Sequence, residues 1–224
     1  MLLQHMGRSA LLLALFALVG TGLVALTFSG TQQRIAEAER QHMLRSLNAV
    51  IPSGQYNNDL FNDSIDIRAE KFLGTAEPVQ IFLARQNGQP MAVAFSVVTR
   101  EGYVGPIKLL VGIDISGKLT GVRVLTHRET PGLGDKIEER RGDWILGFDD
   151  RSLANTEKKA WQVKRDGGEF DQLTGATITP RAVVKAVHNA LLFYQANKDQ
   201  LFMEPESKPA PAPETTTTRV KTNG

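Results

Sequence analysis

The longest apolar stretch of the chain lies near its N-terminus, where residues Ser9 to Ser29 carry no charged side chain. About 20 such residues suffice to cross a bilayer as a helix. Arg8 precedes the stretch and favours a cytoplasmic N-terminus, although three arginines follow on the far side, at Arg34, Arg40 and Arg45. A cleaved signal peptide is the alternative, but the stretch is longer than a typical signal-peptide core and no Ala-x-Ala site ends it. We therefore expect residues 1–8 in the cytoplasm and a transmembrane anchor over residues 9–29.

A helical pattern continues beyond the anchor. From Thr31 to Val50, apolar residues recur at intervals of three and four, with polar side chains on another face. This helix is expected to continue the membrane helix as a stalk, and Pro52 ends it. Ser53 to Asp66 is rich in Asn and Asp, so the pattern predicts irregular structure there. Residues 30–70 are thus a predicted stalk helix and connection.

The middle of the chain alternates between apolar and polar positions, as the strands of a half-buried sheet do. Tight turns are predicted at Asn87-Gly88 and Ser116-Gly117, so two hairpins follow one another. The four predicted strands are Val79 to Arg85, Met91 to Val98, Ile107 to Ile115 and Leu119 to Thr126. Successive hairpins imply an antiparallel sheet.

The segments after the sheet are expected to pack on it. A short helix is predicted over about Asp135 to Arg140, and a short strand over Ala160 to Arg165. The helix after Pro180 carries six apolar residues on one face, which is enough to dock it on the sheet: Val183, Val184, Val187, Ala190, Leu191 and Tyr194.

The predicted fold class is therefore α+β, with an N-terminal transmembrane helix followed by a domain of antiparallel hairpins and packed helices over residues 71–202. Pro205 to Gly224 is rich in Pro, Thr and Ala and has few hydrophobic residues. Residues 203–224 are consequently predicted to form a disordered tail that the chemistry does not need.

Composition narrows the possible functions. The formal charge of +2 is too small to indicate a nucleic-acid partner. There is no cysteine, which excludes disulfides, cysteine-ligated iron–sulfur clusters and thiolate catalysis, so redox chemistry would need a borrowed cofactor. The four histidines are widely spaced and predict no metal site. No nucleophile–base pair and no paired-carboxylate site stands out, so no catalytic residue is assigned.

One stretch, Asp171 to Pro180, carries candidate chemistry. Gly175 allows a tight turn or the close approach of a ligand. Pro180 suits the first position of the following helix, which makes Thr179 the expected N-cap. Hydroxyls and free amides at the positive end of a helix suit a phosphate. Alternatively, Thr177 and Thr179 merely turn the chain and cap the helix.

The pattern Asp171-x-x-Thr174-Gly175-Ala176-Thr177-x-Thr179 resembles the flavinylation signature of the FMN-binding domain in the G subunit of the Rnf complex, also called Rsx. A similar signature occurs in the C subunit of the sodium-pumping NADH:quinone oxidoreductase. The resemblance implies that a flavin transferase joins FMN through its phosphate to the hydroxyl of Thr177. Thr174 stands where serine is common in the family, and it keeps the hydroxyl.

Two further stretches carry the same resemblance in the expected order. Gly102-Tyr-Val-Gly-Pro-Ile107 matches a family motif before a strand pair, and Glu129 to Gly134 matches the family's flavin-site loop. From the residues alone, the first is a plain connection and the second a turn that opens a helix. The resemblance adds the other expected cofactor-binding residues: Leu173, Thr174, Gly175, Ala176, Glu129, Thr130, Gly132, Leu133 and Trp144. Trp144 and Leu173 would supply an apolar wall for the flavin ring.

The resemblance implies an electron-relay subunit with covalent FMN, anchored by one helix in the inner membrane, with its flavin domain on the periplasmic side. Its partners would be other membrane subunits that pass electrons between ferredoxin and NAD and move Na⁺ or H⁺. Two alternatives stay open at this point. One is a membrane-tethered binding or scaffold module without redox activity, and the other is a regulatory domain that senses FMN reversibly.

Overall fold

The computed structural model describes residues 2–202, so the predicted disordered tail over residues 203–224 lies outside the described residues. Helices and strands follow one another in the order α1 (Leu2–Val50), β1 (Ser64–Ile67), α2 (Glu70–Leu73), β2 (Val79–Gln86), β3 (Gln89–Thr99), β4 (Ile107–Asp114), β5 (Leu119–Thr126) and α3 (Ile178–Phe202). Short 3-10 helices occupy much of the connection between β5 and α3.

The anchor and the stalk are one continuous helix. α1 spans 49 residues, which corresponds to about 74 Å at 1.5 Å per residue. Within residues 2–202 it is the one helix that is long and apolar enough to cross a membrane. From Met6 to Ile35 the large apolar side chains whose burial is described are exposed, and Leu47 is the first of the described side chains to be fully buried. The predicted helix over Thr31 to Val50 is therefore confirmed as the end of α1.

The sheet is an antiparallel meander in the order β1-β2-β3-β4-β5. Its two central hairpins confirm the four predicted strands, and Asn87 and Gly88 both have positive φ at the first turn. The prediction of irregular structure up to Asp66 was wrong at its end, because Ser64–Ile67 forms the edge strand β1 against β2. This strand has only four residues, so pairing with β2 decides its structure more than any local preference.

The sheet separates two hydrophobic layers. On one face, alternate residues of β3, including Phe95, pack against α3, where the Phe95 and Phe193 rings meet edge to face at 5.2 Å between centroids. This confirms the predicted docking of the C-terminal helix. On the other face, Ala92 and Ala94 leave room for the end of α1. α1 is thus built into the domain and does not merely lead to it.

A cross-strand pair of glycines lets α1 approach the sheet closely. Gly112 of β4 and Gly121 of β5 lie opposite each other. A Cβ at Gly112 would stand 2.6 Å from the carbonyl oxygen of Val50, and one at Gly121 3.0 Å from its Cα. The Thr120 hydroxyl donates to that same carbonyl at 2.5 Å. The last turn of α1 therefore has one of its free carbonyls satisfied by the sheet.

Two predictions for the connection need correction. Ala160 to Arg165 is not a strand, since the 3-10 helices Lys158–Ala160 and Lys164–Asp166 occupy its two ends, and Val163 forms only an isolated bridge with Phe170. The helix predicted near Asp135 is two 3-10 helices, Gly134–Ile137 and Glu139–Arg141, separated by an extended Glu138. Both segments follow the core surface, so packing overrides the local pattern.

Candidate functional site

The three stretches singled out in the sequence meet at one cleft of about 410 Å³. It lies between the connection before β4, the loop after β5 and the start of α3. Its walls are Tyr103, Glu129, Thr130, Leu133, Gly134, Gly175, Ala176, Thr177, Ile178 and Thr179. This volume lies within the range of about 300–1,000 Å³ that is typical of ligand sites, so it suits a small cofactor.

A tight turn presents the threonines to the cleft. The Ala176 N–H donates to the Leu173 carbonyl at 3.0 Å, and Gly175 between them has φ of +80°. These features define a β-turn that requires glycine at its third position. A Cβ at Gly175 would also stand 2.9 Å from Cδ2 of Leu133 on the opposite wall. Glycine at this position therefore sets both the turn and its distance from the facing loop.

The structure gives the three threonines of this stretch different environments. Thr174 lies at the exposed corner of the turn and does not line the cleft. Thr177 is half-buried, lines the cleft and directly precedes α3. Thr179 is fully buried, and its hydroxyl donates to the Glu129 carboxylate. Of these three hydroxyls, the one on Thr177 is both at the cleft and without a described partner.

The predicted N-cap was wrong by two residues. α3 begins at Ile178, so Thr179 lies inside the first turn and Pro180 is its third residue. Proline is still tolerated there, because N–H groups of the first turn have no acceptor within the helix. The prediction failed because the buried Glu129 takes the Thr179 hydroxyl. Helix caps are predicted from neighbouring residues, so the sequence pattern could not identify a partner 50 positions away.

Glu129 joins all three walls of the cleft. It is only 4% exposed, and its Oε1 accepts the Val104 N–H at 3.1 Å while its Oε2 accepts the Thr179 hydroxyl. Gly134 packs against it so tightly that a Cβ would stand 2.9 Å from the Glu129 Cβ. No ion pair within residues 2–202 involves Glu129. Hydrogen bonds alone hold this buried carboxylate, and they fix the loop relative to α3.

The loop after Glu129 is a second tight turn. The Thr130 carbonyl accepts the N–H groups of Leu133 and Gly134, each at 3.1 Å. Gly132 has φ of +78° and lies at the exposed tip, outside the cleft lining. This arrangement carries Leu133, which is 41% exposed, over the cleft towards Gly175. The two turns thus face each other across the site.

An acidic and basic network supports this loop from behind. The Glu129 N–H donates to Nδ1 of His127 at 3.0 Å, and Nε2 of His127 lies 2.5 Å from Oε1 of Glu138. With Nδ1 as an acceptor, the imidazole carries its proton on Nε2. Hydrogen bonds from Arg140 and then from His127 lower the pKa of Glu138 from 4.5 to about 2. Glu138 is therefore ionised at neutral pH and orients His127.

Trp144 and Leu173 lie beside the cleft and do not line it. The Trp144 indole N–H donates to the Asp171 carbonyl at 2.6 Å, and its ring packs edge to face on Phe148. Leu173 is buried in the main core. Both residues support the turn from outside the cleft. The Asp171 carboxylate is exposed and lies 2.5 Å from Nζ of Lys164.

Two apolar residues of the cleft were not among the predicted site residues. Tyr103 is 68% exposed and Ile178 is 45% exposed, and both line the cleft with Leu133. Such exposed apolar side chains around a cleft are typical of a binding surface. The Gly-Tyr-x-Gly-Pro-Ile stretch was the available signal for Tyr103. For Ile178, its place next to Thr177 was the only signal in the sequence.

Two family models match this chain. The family described as FMN-binding domain matches residues 102–192, which contain the whole cleft. The family described as RnfG N-terminal region matches residues 1–50.

Several curated proteins are similar over nearly their whole length, and the following three are each named as the G subunit of an ion-translocating oxidoreductase complex. The one from Pseudomonas aeruginosa is 48% identical over 91% of this chain and 95% of its own. The one from Vibrio cholerae is 46% identical over 91% and 97%, and the one from Pseudoalteromonas atlantica 45% over 89% and 93%.

Proposed function

The chain belongs to the family of the G subunits of ion-translocating oxidoreductase complexes, and we propose that it relays electrons through an FMN bound covalently to Thr177. Members of this family are electron-transfer subunits of an oxidoreductase complex and contain an FMN-binding domain. The observation that carries the covalent part of the proposal is the different environment of the three threonine hydroxyls. Of Thr174, Thr177 and Thr179, only Thr177 combines a place on the cleft with a hydroxyl that no described residue engages.

Attachment at Thr177 requires the transfer of a flavin phosphate from an activated donor to the threonine hydroxyl. The Thr177 hydroxyl loses its proton to a base of a flavin transferase, and its oxygen forms a bond with the phosphorus of the flavin phosphate. The donor is flavin adenine dinucleotide: the anhydride bond between its two phosphates breaks, and AMP leaves together with the proton. The product is a phosphoester, which keeps the cofactor on the protein without reliance on binding affinity.

The cleft fits FMN by its chemistry. The phosphate would lie at the N-terminus of α3, where first-turn amides and the helix dipole favour an anion. The flavin ring would lie against the apolar side chains of Tyr103, Leu133 and Ile178. Gly175 and Gly134 keep both turns free of side chains at the points of closest approach. Bound FMN supplies the ability to accept and donate electrons, and the protein supplies attachment, orientation and electrostatics.

Each predicted site residue has a proposed role in this arrangement. Glu129, Thr130, Leu133, Gly175 and Ala176 form the walls around Thr177. The remaining predicted residues hold those walls in place from outside the cleft, through the two turns and the core: Gly132, Trp144, Leu173 and Thr174. We propose that the chain acts as an electron relay within a larger complex.

The long helix α1 is proposed to be a single-pass anchor over residues 9–29, with residues 1–8 in the cytoplasm. About 18 residues separate the anchor from Leu47, so the stalk would hold the domain, residues 71–202, roughly 27 Å from the membrane. We place this domain on the periplasmic side of the inner membrane, because Arg8 favours a cytoplasmic N-terminus. The other subunits of the complex would then surround the exposed apolar helix.

Flavin fluorescence on a denaturing gel tests the proposal. The full chain is expressed with a flavin transferase, and a fluorescent band is expected for wild type and for Thr177→Ser, which keeps a hydroxyl. Thr177→Val, which keeps the shape of the side chain, is expected to give a dark band. Thr126→Val, at the exposed end of β5 and outside the cleft, is the matched control and should stay fluorescent. Circular dichroism verifies that the dark variant is folded.

The outcomes also separate the alternatives. A dark wild-type band, with transferase activity verified on another substrate, would favour a scaffold module. Flavin that is present before denaturation and absent afterwards would indicate reversible binding by a sensing domain. A fluorescent Thr177→Val band would move the attachment site to another residue.

A further inference from the structure

A groove separate from the flavin cleft runs along α3. Two adjoining cavities, of about 250 and 330 Å³, share Leu153 and Gln195. The helix contributes His188, Gln195 and Lys198 to this groove, and the segment from Ser152 to Trp161 forms the opposite wall. From His188 to Lys198 the groove extends about 15 Å along the helix.

Two buried hydrogen-bond donors line the groove without a partner. The Tyr194 hydroxyl belongs to a residue only 3% exposed, and the Trp161 Nε1 to one only 5% exposed. Neither atom has a hydrogen-bond partner among residues 2–202. Burial, with the nearby charge of Asp114, raises the pKa of Tyr194 to about 12, so its hydroxyl keeps its proton. Buried donors in native proteins are nearly always satisfied, which indicates that acceptors come from outside the described residues.

The chain itself leaves the domain at one end of this groove. The ring of Phe202, the last residue of α3, lies 6.3 Å from the ring of Tyr194 and nearly perpendicular to it. The residues that follow include four prolines, at Pro205, Pro209, Pro211 and Pro213. A segment that begins after Phe202, beside Tyr194, needs only a short connection to reach the groove.

The chemistry of the groove suits such a segment. Proline-rich chains adopt the polyproline II helix, which makes no internal hydrogen bonds and leaves every carbonyl free to accept. Aromatic grooves recognise this conformation. At about 3.1 Å per residue, roughly five residues span the 15 Å of the groove. Lys198 lies at the end where the chain exits, and the sequence has Glu204 just before the segment and Glu206 near its start.

We propose that the groove along α3 binds about five residues of the proline-rich segment 205–213 of the same chain in an extended conformation, with their carbonyls accepting from Tyr194 and Trp161. Composition predicts that this segment is disordered in isolation, and the groove would order it. A tethered segment needs little intrinsic affinity, because its effective concentration is in the millimolar range.

Tryptophan fluorescence of the full chain tests this proposal. The chain has two tryptophans, so a Trp144→Phe background leaves Trp161 as the sole reporter. The protein is prepared in detergent without flavin transferase, which makes the result independent of the flavin site. Ending the chain after Met203 is expected to shift Trp161 emission to longer wavelength and to raise its quenching by acrylamide.

A synthetic peptide of residues 204–215 should reverse both changes in the shortened chain. A peptide with all four prolines replaced by alanine is the matched control and should bind more weakly. Tyr194→Phe removes only the hydroxyl and should weaken peptide binding about 2- to 12-fold, while Lys185→Gln on another face of α3 should leave it unchanged.

Two results would overturn the proposal. One is identical emission and quenching for the full and shortened chains with no response to the peptide. The other is equal peptide binding by both chains, which would show that the groove is open in the full chain and accepts a segment of another protein.

Discussion

Gly175→Ala tests how the turn before α3 builds the flavin cleft. Gly175 has φ of +80°, a conformation that costs a residue with a Cβ about 1–2 kcal/mol. For a chain of this size, 1 kcal/mol lowers the melting temperature by roughly 2–4 °C, so a decrease of about 2–8 °C is expected. The new methyl group would also stand 2.9 Å from Cδ2 of Leu133 and push that side chain across the cleft.

Gly88→Ala separates the two effects. Gly88 has nearly the same φ, +81°, in the hairpin between β2 and β3, and no atom lies within 4 Å of a Cβ built on it. Both variants should therefore lose similar stability through backbone strain. Only Gly175→Ala should also lose flavin, because only its methyl group displaces a wall of the cleft.

The assay combines thermal unfolding, followed by circular dichroism, with the ratio of flavin to protein after expression with the flavin transferase. Full flavin content and an unchanged melting temperature in Gly175→Ala would refute the role assigned to the turn. An equal loss of flavin in Gly88→Ala would show that stability alone controls flavin incorporation.

Two further predictions concern residues that hold the loops of the site in place, and a third concerns the packing of α1 on the sheet. Thr179→Val leaves an oxygen of the buried Glu129 without its donor and should lower the free energy of unfolding in urea by about 1–3 kcal/mol. Thr179→Ser keeps the hydroxyl and should retain most of that stability. Equal stability of the two variants would contradict the hydrogen bond. Because the pKa of Glu138 is lowered, its contribution to the free energy of unfolding is present above pH 4.5 and is lost as the pH falls towards 2. Glu138→Gln should remove this part of the pH dependence of stability, about 1 kcal/mol or less for a partly exposed pair. An unchanged profile of stability against pH would contradict this role. Leu47→Ala should destabilise the domain by about 2–5 kcal/mol in chemical denaturation, while Ile35→Ala on the exposed stalk should not; equal effects would argue against the packing of α1 on the sheet.

The parts of the fold that were predicted correctly depend on local patterns. The two central hairpins combine alternation with tight turns such as Asn87-Gly88, and both signals lie within a few residues. β1 was missed because four residues carry too little pattern, and its pairing with β2 is a tertiary effect. The segment from Ala160 to Arg165 was misassigned because Trp161 and Val163 are buried at alternate positions, as in a strand, although the backbone forms 3-10 turns.

Motifs in the sequence indicated which stretches form the candidate site, but they did not predict its geometry. The sequence indicated that three stretches belong together, and the structure brings all three to one cleft. Sequence reasoning could not find the partner of Thr179, since Glu129 lies 50 residues away. It also did not single out Tyr103 and Ile178, which line the cleft, while Trp144, the predicted wall of the flavin ring, lies beside it. These details depend on packing between segments that are far apart in the chain.

The most direct test of the central claim is mass spectrometry of the chain expressed with its flavin transferase. Trypsin cleaves after Arg165 and Arg181, so a single peptide, residues 166–181, contains Thr174, Thr177 and Thr179. We predict that this peptide gains the mass of FMN less one water and that fragmentation places the gain on Thr177. An unmodified peptide, or a gain on Thr174 or Thr179, would contradict the account.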